Sequence, residues 1–251
     1  MADIDGVPLA DTPPLAPPPV DRRWWGVGDF FIAAFAWFLI SVLAVSLLPR
    51  INGSQPVDVR AWSAVALIAL PWLGLAGWPL LATRLKGDGP VRDLRLSLTV
   101  RDGLIGVGFG VVGVVGAGIV AALQEKVTGH GISARAVDAF DSVDKANPAP
   151  LLLFALLAGF GAPIVEEIAF RGLLFGALEK RRMPIWACVV ITSVGFSVFH
   201  FEPERFFVLL PIAFALGLAR ARTGSTGSSI VAHMTVNLPA AITLAIAAFQ
   251  H

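Results

Sequence analysis

Residues 30–48 read FFIAAFAWFLISVLAVSLL, from Phe30 to Leu48, without a charge. As a helix this run extends about 28 Å at ~1.5 Å per residue, which matches a hydrocarbon core of ~30 Å. The pattern repeats along the chain. Uncharged runs follow at Ala61–Thr83, Gly103–Gln124 and Ala146–Val165, and shorter or polar-flecked ones at Met183–Phe199, Phe206–Ala219 and Thr223–Gln250. Hydrophobic residues make up 56% of the 251 and charged ones 15%, against about 45–50% and about 25% in an ordinary soluble domain. A water-soluble globule is excluded. The reading is an all-α, polytopic membrane bundle of about seven transmembrane helices, with eight as the alternative.

Two stretches decide between those counts. Phe206–Ala219 holds 14 uncharged residues, about 21 Å of helix, so it must recruit Glu204 and Arg205 or stop short of crossing. Ala146–Leu178 is interrupted by Gly159, Gly161 and Pro163, which weaken a helix and remove one backbone donor, so it forms one kinked span or two pieces. Assigning alternate loops to alternate sides puts twelve basic residues on one side, among them Arg22, Lys86, Arg95, Lys180 and Arg220, and six on the other, among them Lys126 and Arg205. By the positive-inside rule the first side is cytosolic, which gives a multi-pass protein of the cell membrane with a cytosolic N-terminus. Trp24, Trp25, Trp78 and Trp186 fall near span ends, where indoles anchor at headgroups.

The first 21 residues, rich in proline and aspartate, have no apolar periodicity and read as a disordered cytosolic tail. The apolar run that follows Arg22 and Arg23 lacks a small-residue cleavage site and is expected to be retained as a span. Residues 22–145 form a three-span N-terminal region with its loops, and residues 146–251 a helical core. The net charge of +1 provides no field for nucleic acid, and the lone Cys188 provides neither a disulfide framework nor a thiolate metal cluster. Within Gly106–Gly113 lies one formal Gly-x-Gly-x-x-Gly match. No strand or ribose-binding carboxylate surrounds it, and close helix packing in lipid explains the glycines better.

With the charges at span ends set aside, six strongly polar groups remain at depth: Glu166, Glu167, Arg171, His200, His233 and Asn237. Each costs at least ~2.5–3.5 kcal/mol at the bilayer centre when charged, so such groups face protein or a wet cavity and mark function. Glu167 and Arg171 stand four apart and share a helix face as an ion pair. Glu166 points about 100° away, free to look into a cavity. His233 and Asn237, like Phe196 and His200, are again four apart. Counted from Lys180, Pro184 and Arg222, the residues Glu166, His200 and Asn237 all fall about 21–24 Å deep. The glycine- and serine-rich stretch Thr223–Ser229 reads as non-helical, which would leave the last pair shallower.

The three segments Glu166-Glu167-Ile-Ala-Phe-Arg171, Phe196-Ser-Val-Phe-His200 and His233-Met-Thr-Val-Asn237 resemble the ordered motifs EExxxR, FxxxH and HxxxN of the CPBP family of intramembrane proteases. That family includes the type II CAAX prenyl endopeptidases and the Abi or bacteriocin-immunity proteins. The resemblance covers about residues 150–240 and implies an intramembrane endopeptidase with a polar cavity. Its substrate would be a membrane-anchored, lipidated or prenylated protein or peptide in the bilayer. Carried over, Glu166 would activate water with help from His200. His233 and Asn237 would hold that water or the oxyanion, and Glu167, Arg171 and Phe196 would support the site. No cofactor is expected. The alternative is zinc held by Glu166, His200 and His233, since two histidines, a glutamate and a water form a known catalytic set. Two other functions compete: a non-enzymatic immunity or scaffold protein that keeps the motifs for structure, and a transporter or proton relay. The transporter ranks last because no repeat with paired broken helices is evident.

Overall fold

The computed structural model describes residues 24–48, 57–131 and 147–249; the proline-rich tail of residues 1–21 lies outside them. Among the described residues all regular structure is helical. The long elements are α1 (Val27–Leu47), α2 (Ala61–Lys86), α3 (Val100–Thr128), α4 (Ala149–Lys180), the shorter apolar α5 (Ile185–Phe199), α6 (Pro203–Thr223) and α7 (Thr226–Ala247). Apart from α5, each is long and apolar enough to cross a membrane. The seven together make a polytopic helical membrane bundle.

Both doubtful stretches take definite forms. The Ala149–Lys180 run is one continuous helix that widens into π turns at Leu157–Gly161 and Ile168–Leu174. A π turn absorbs an irregular residue without ending the helix, so the glycines and Pro163 do not split the span. The run at Phe206 gains length at both ends. A 3₁₀ turn, Pro203–Arg205, leads into it, and the helix continues past Ala219 to Thr223 before Gly224 closes it in the left-handed conformation at φ +73°.

The segment Thr223–Ser229 departs from its expected form. It is a tight turn at Gly224–Ser225, and α7 is helical from Thr226 onward. Tertiary bonds outweigh local preference here. The Ser225 hydroxyl donates to the Ser97 carbonyl, Thr226 Oγ1 to Leu94 at 2.6 Å and Ser228 Oγ to Asp102 at 2.9 Å. The hydroxyls that usually compete with a helix are engaged elsewhere, and α7 starts a turn earlier than its composition suggests.

The third span packs through its small residues. A Cβ on Gly106 would lie 2.5 Å from the Ser228 carbonyl oxygen, and one on Gly110 would lie 2.6 Å from that of Ala232. Gly113 faces Ala215 of α6, whereas Gly108 has nothing within 4 Å. Gly106, Gly110 and Gly113 therefore form one helix face against α6 and α7, the geometry of close helix packing in lipid. The opposite face is apolar and exposed, with Leu104 at 70% and Val112 at 62%, as expected where the solvent is hydrocarbon.

One end of the bundle gathers charge. Lys86 pairs with Asp29 at 2.6 Å, and Lys180 donates to the Trp25 carbonyl at 2.7 Å. Glu179 takes Arg220 at 2.9 Å and Arg95 at 3.5 Å. These residues belong to the start of α1, the ends of α2, α4 and α6, and the loop before α3, as an up-and-down chain requires. Trp24 and Trp186 are exposed, as headgroup anchors should be, but Trp25 is buried and packs beneath Lys180 instead.

Candidate active site

Between α3, α4, α5, α6 and α7 lies a partly open cavity of about 410 Å³ whose lining includes Glu166, His200, His233 and Asn237. Three separate helices bring these four together. The remaining wall is largely apolar, with Phe154, Leu209, Ile212 and Leu244 contributing.

Glu167 is the polar centre beneath the cavity. It is fully buried, and its Oε1 accepts from Arg171 Nη1 at 2.8 Å. The same oxygen lies 3.0 Å from His233 Nδ1. That oxygen acts as acceptor toward the guanidinium, so the imidazole is the donor in this contact and Nδ1 carries hydrogen. His233 Nε2 is then turned toward Glu166, with 3.9 Å between Nε2 and Glu166 Oε2. That Glu166 oxygen is buried and makes no hydrogen bond. Glu166 and Glu167, adjacent in sequence, thus lie on either side of one imidazole.

Arg171 is itself fully buried and bonded through both terminal nitrogens, while its Nε has no hydrogen-bond partner. Its Nη2 donates to the Ala213 carbonyl of α6 at 2.8 Å, to which Ser193 Oγ also donates at 2.9 Å. Its guanidinium carbon lies 4.8 Å from the Phe196 ring centre, a stacked geometry that suits a desolvated arginine. Phe196 in turn packs against both histidines, with ring centres 4.6 Å from His200 and 5.6 Å from His233. It separates the arginine from the cavity while keeping the imidazoles in place.

His200 caps the C-terminal end of α5, where Phe201 turns the chain at φ +53°. Its Nδ1 lies 2.8 Å from the Phe196 carbonyl, and a carbonyl can only accept, so Nε2 is left as the free acceptor. Asn237 donates one amide hydrogen to the Ala158 carbonyl of α4 at 2.9 Å. This ties α7 to α4 and leaves a second amide hydrogen available.

The zinc alternative fits this arrangement poorly. Among the described residues no group of three His, Cys, Asp or Glu side chains is placed to hold a metal ion, even though Glu166, His200 and His233 line the same space. Sequence reasoning also missed two features: the contact from Glu167 to His233, and the presence of Arg205 in the cavity lining. The sequence places Arg205 at the end of a span or in the loop before it, with no role in the site. Ser193, Phe196 and His200, spaced three and four apart on α5, carried a helical signal that could have drawn attention to the serine.

Residues 148–239, which include Glu166, Glu167, Arg171, Phe196, His200, Arg205, His233 and Asn237, match the family model described as Type II CAAX prenyl endopeptidase Rce1-like. A curated relative, "Putative membrane peptidase YdiL" of Bacillus subtilis (strain 168), is 24% identical over 224 residues and covers 86% of each chain. No solved structure matches. With three motifs in order, a profile match over residues 148–239 and a relative aligned along most of both chains, this chain is similar to the Rce1-like type II CAAX prenyl endopeptidases and to "Putative membrane peptidase YdiL".

Proposed function

We propose that the protein is an intramembrane endopeptidase that cuts a membrane-associated or prenylated protein, using water activated by Glu166. The observation that supports this most is the 3.9 Å separation of Glu166 Oε2 and His233 Nε2 inside the cavity. Two hydrogen bonds of ~2.8 Å from one water can close a triangle on that base. In the neutral tautomer set by Glu167, His233 Nε2 accepts from this water, and Glu166 accepts its other hydrogen.

The chemistry then needs little movement. As the water oxygen bonds to the peptide carbonyl carbon, its proton passes to Glu166, and the carbonyl oxygen takes up the electron pair. The free amide hydrogen of Asn237 stabilises that oxyanion. When the carbon–nitrogen bond breaks, the proton on Glu166 goes to the leaving amine, which yields a carboxylic acid and an amine; transfer of the remaining water proton between them leaves a carboxylate and an ammonium. His200, also on the cavity wall, assists Glu166 in moving that proton from the water to the leaving amine. General acid–base transfer of this kind contributes typically ~10²–10⁴-fold, and a fixed oxyanion donor a further ~10²–10³-fold.

The bilayer setting follows from the same reading. With twelve of the basic residues outside the spans on one side, that end is assigned to the cytosol and the N-terminus with it. The test is cleavage by the purified protein in detergent of lipid-anchored peptides. Cleavage that Glu166→Ala, His200→Ala and His233→Ala each abolish supports the proposal. Wild-type rates in all three variants would end it, and substrate flux in sealed vesicles without hydrolysis would revive the transporter.

A further inference from the structure

We propose that Arg220, which lies outside the cavity, is a positioning residue for the reaction: its bond to the main chain of Arg171 fixes the wide turn of α4 that holds Glu167 and, through it, His233. The proposal rests on the protease reading above and concerns the scaffold of that site. Arg171 and Arg220 are the bulkiest fully buried side chains among the described residues, yet Arg220 has no place in the cavity lining.

An arginine near the end of a span can extend its head to water at little cost. Arg222, in the last turn of α6, is exposed in this way. Arg220, in the same turn, is instead 1% exposed and lies against α4. Its Nη2 donates to Glu179 Oε2 at 2.9 Å, and its guanidinium carbon lies 4.8 Å from the Phe175 ring centre. The ion pair and the ring account for burying the charge. A further bond does something else. Arg220 Nε donates to the Arg171 carbonyl at 3.2 Å, in the middle of the π turn Ile168–Leu174.

A π turn is a rare conformation that persists where its surroundings favour it. Here α6 grips the turn at one residue from two sides. The Ala213 carbonyl accepts from Arg171 Nη2 at 2.8 Å. Arg220, seven residues and so about two turns later on the same face of α6, donates to the Arg171 carbonyl. Arg171 cannot slide along α6 without losing one of these bonds. Its Nη1 goes to Glu167 Oε1 at 2.8 Å, and that oxygen takes His233 Nδ1 at 3.0 Å. Arg220 is thus joined to the 3.9 Å gap between His233 Nε2 and Glu166 Oε2 through Arg171, Glu167 and His233, all of them buried.

The test measures cleavage of a farnesylated peptide and thermal melting for the purified full-length protein in detergent, with rates taken per folded molecule. Arg220→Lys keeps a positive charge for Glu179 but lacks the Nε–H, and Arg220→Met lacks both. Lys86→Met is the control: it breaks the 2.6 Å pair with Asp29 at the same end of the bundle and leaves every bond to Arg171 in place. Both Arg220 variants should lose about 10- to 100-fold in kcat with KM little changed, the scale on which a displacement of ~1 Å acts. Lys86→Met should melt lower yet keep the wild-type kcat. Wild-type kcat in Arg220→Lys or in folded Arg220→Met, a loss confined to KM, or an equal loss of kcat in Lys86→Met overturns the inference and leaves the protease reading standing. A wild-type protein that cuts no peptide removes both.

Discussion

The imidazole of His233 and the carboxylate of Glu167 lie 3.0 Å apart across two helices, although 66 residues separate them in the chain. Glu167 reaches Arg171 through the same oxygen, so one buried carboxylate both neutralises an arginine and sets which nitrogen of the histidine carries hydrogen. A residue that looks like structural support from its own helix is therefore also the orienter of a group in the cavity. Its neighbour Glu166 has no such bond and is free to work on solvent.

Replacement of Glu167 by Gln should harm both roles. A Gln can still accept from His233 but leaves the Arg171 charge uncompensated, and breaking one side of a buried pair costs about 3–5 kcal/mol. Thermal melting in detergent should fall clearly, and cleavage by the folded fraction should fall with it. A variant that melts like wild type would mean that Glu167 does not hold Arg171 in the way described.

Asn237→Ala should act mainly on turnover. The substitution removes the amide assigned to the oxyanion, with a loss of about 10²–10³-fold in kcat expected for one such donor. It also frees the Ala158 carbonyl, so a modest drop in melting temperature should accompany it. A change confined to KM would contradict the oxyanion role.

The two glycine faces of α3 make opposite predictions. Gly110→Val should destabilise the bundle, because even a Cβ would lie 2.6 Å from the Ala232 carbonyl oxygen, and backbone cannot yield cheaply. Gly108→Val should be tolerated, since nothing lies within 4 Å of its Cβ position. Melting curves of the two variants, run side by side, check the packing of α3 on α7. Equal behaviour would argue against it.

Metal removal should leave the reaction untouched. Because no three His, Cys, Asp or Glu side chains converge to hold a metal ion among the described residues, chelation is expected to have no effect on peptide cleavage. Loss of activity on chelation, restored by zinc and not by other divalent ions, would require a different arrangement of Glu166, His200 and His233.

How far the sequence discloses this molecule depends on the range of the interaction. The spans were legible because lipid demands uninterrupted apolar runs and punishes any charge within them, and the Glu167–Arg171 pair was legible because both lie on one helix at a four-residue spacing. The helical start of α7 was not, because the hydroxyls of Ser225, Thr226 and Ser228 are satisfied by carbonyls more than a hundred residues away. The contact between Glu167 and His233 was hidden for the same reason: spacing within one helix carries no information about which face of another helix it will meet. Arg205 is legible as a charge at or before the start of a span but not as a cavity residue, since the 3₁₀ turn before α6 is what brings it there.

The most direct measurement is the rate at which purified Glu166→Gln cleaves a lipid-anchored peptide, compared with wild type at equal amounts of folded protein. Glu166 Oε2 makes no hydrogen bond, so the variant should melt close to wild type while its rate falls by at least ~10²-fold, the lower range for loss of a general base. A folded Glu166→Gln protein that cleaves at the wild-type rate would contradict the account.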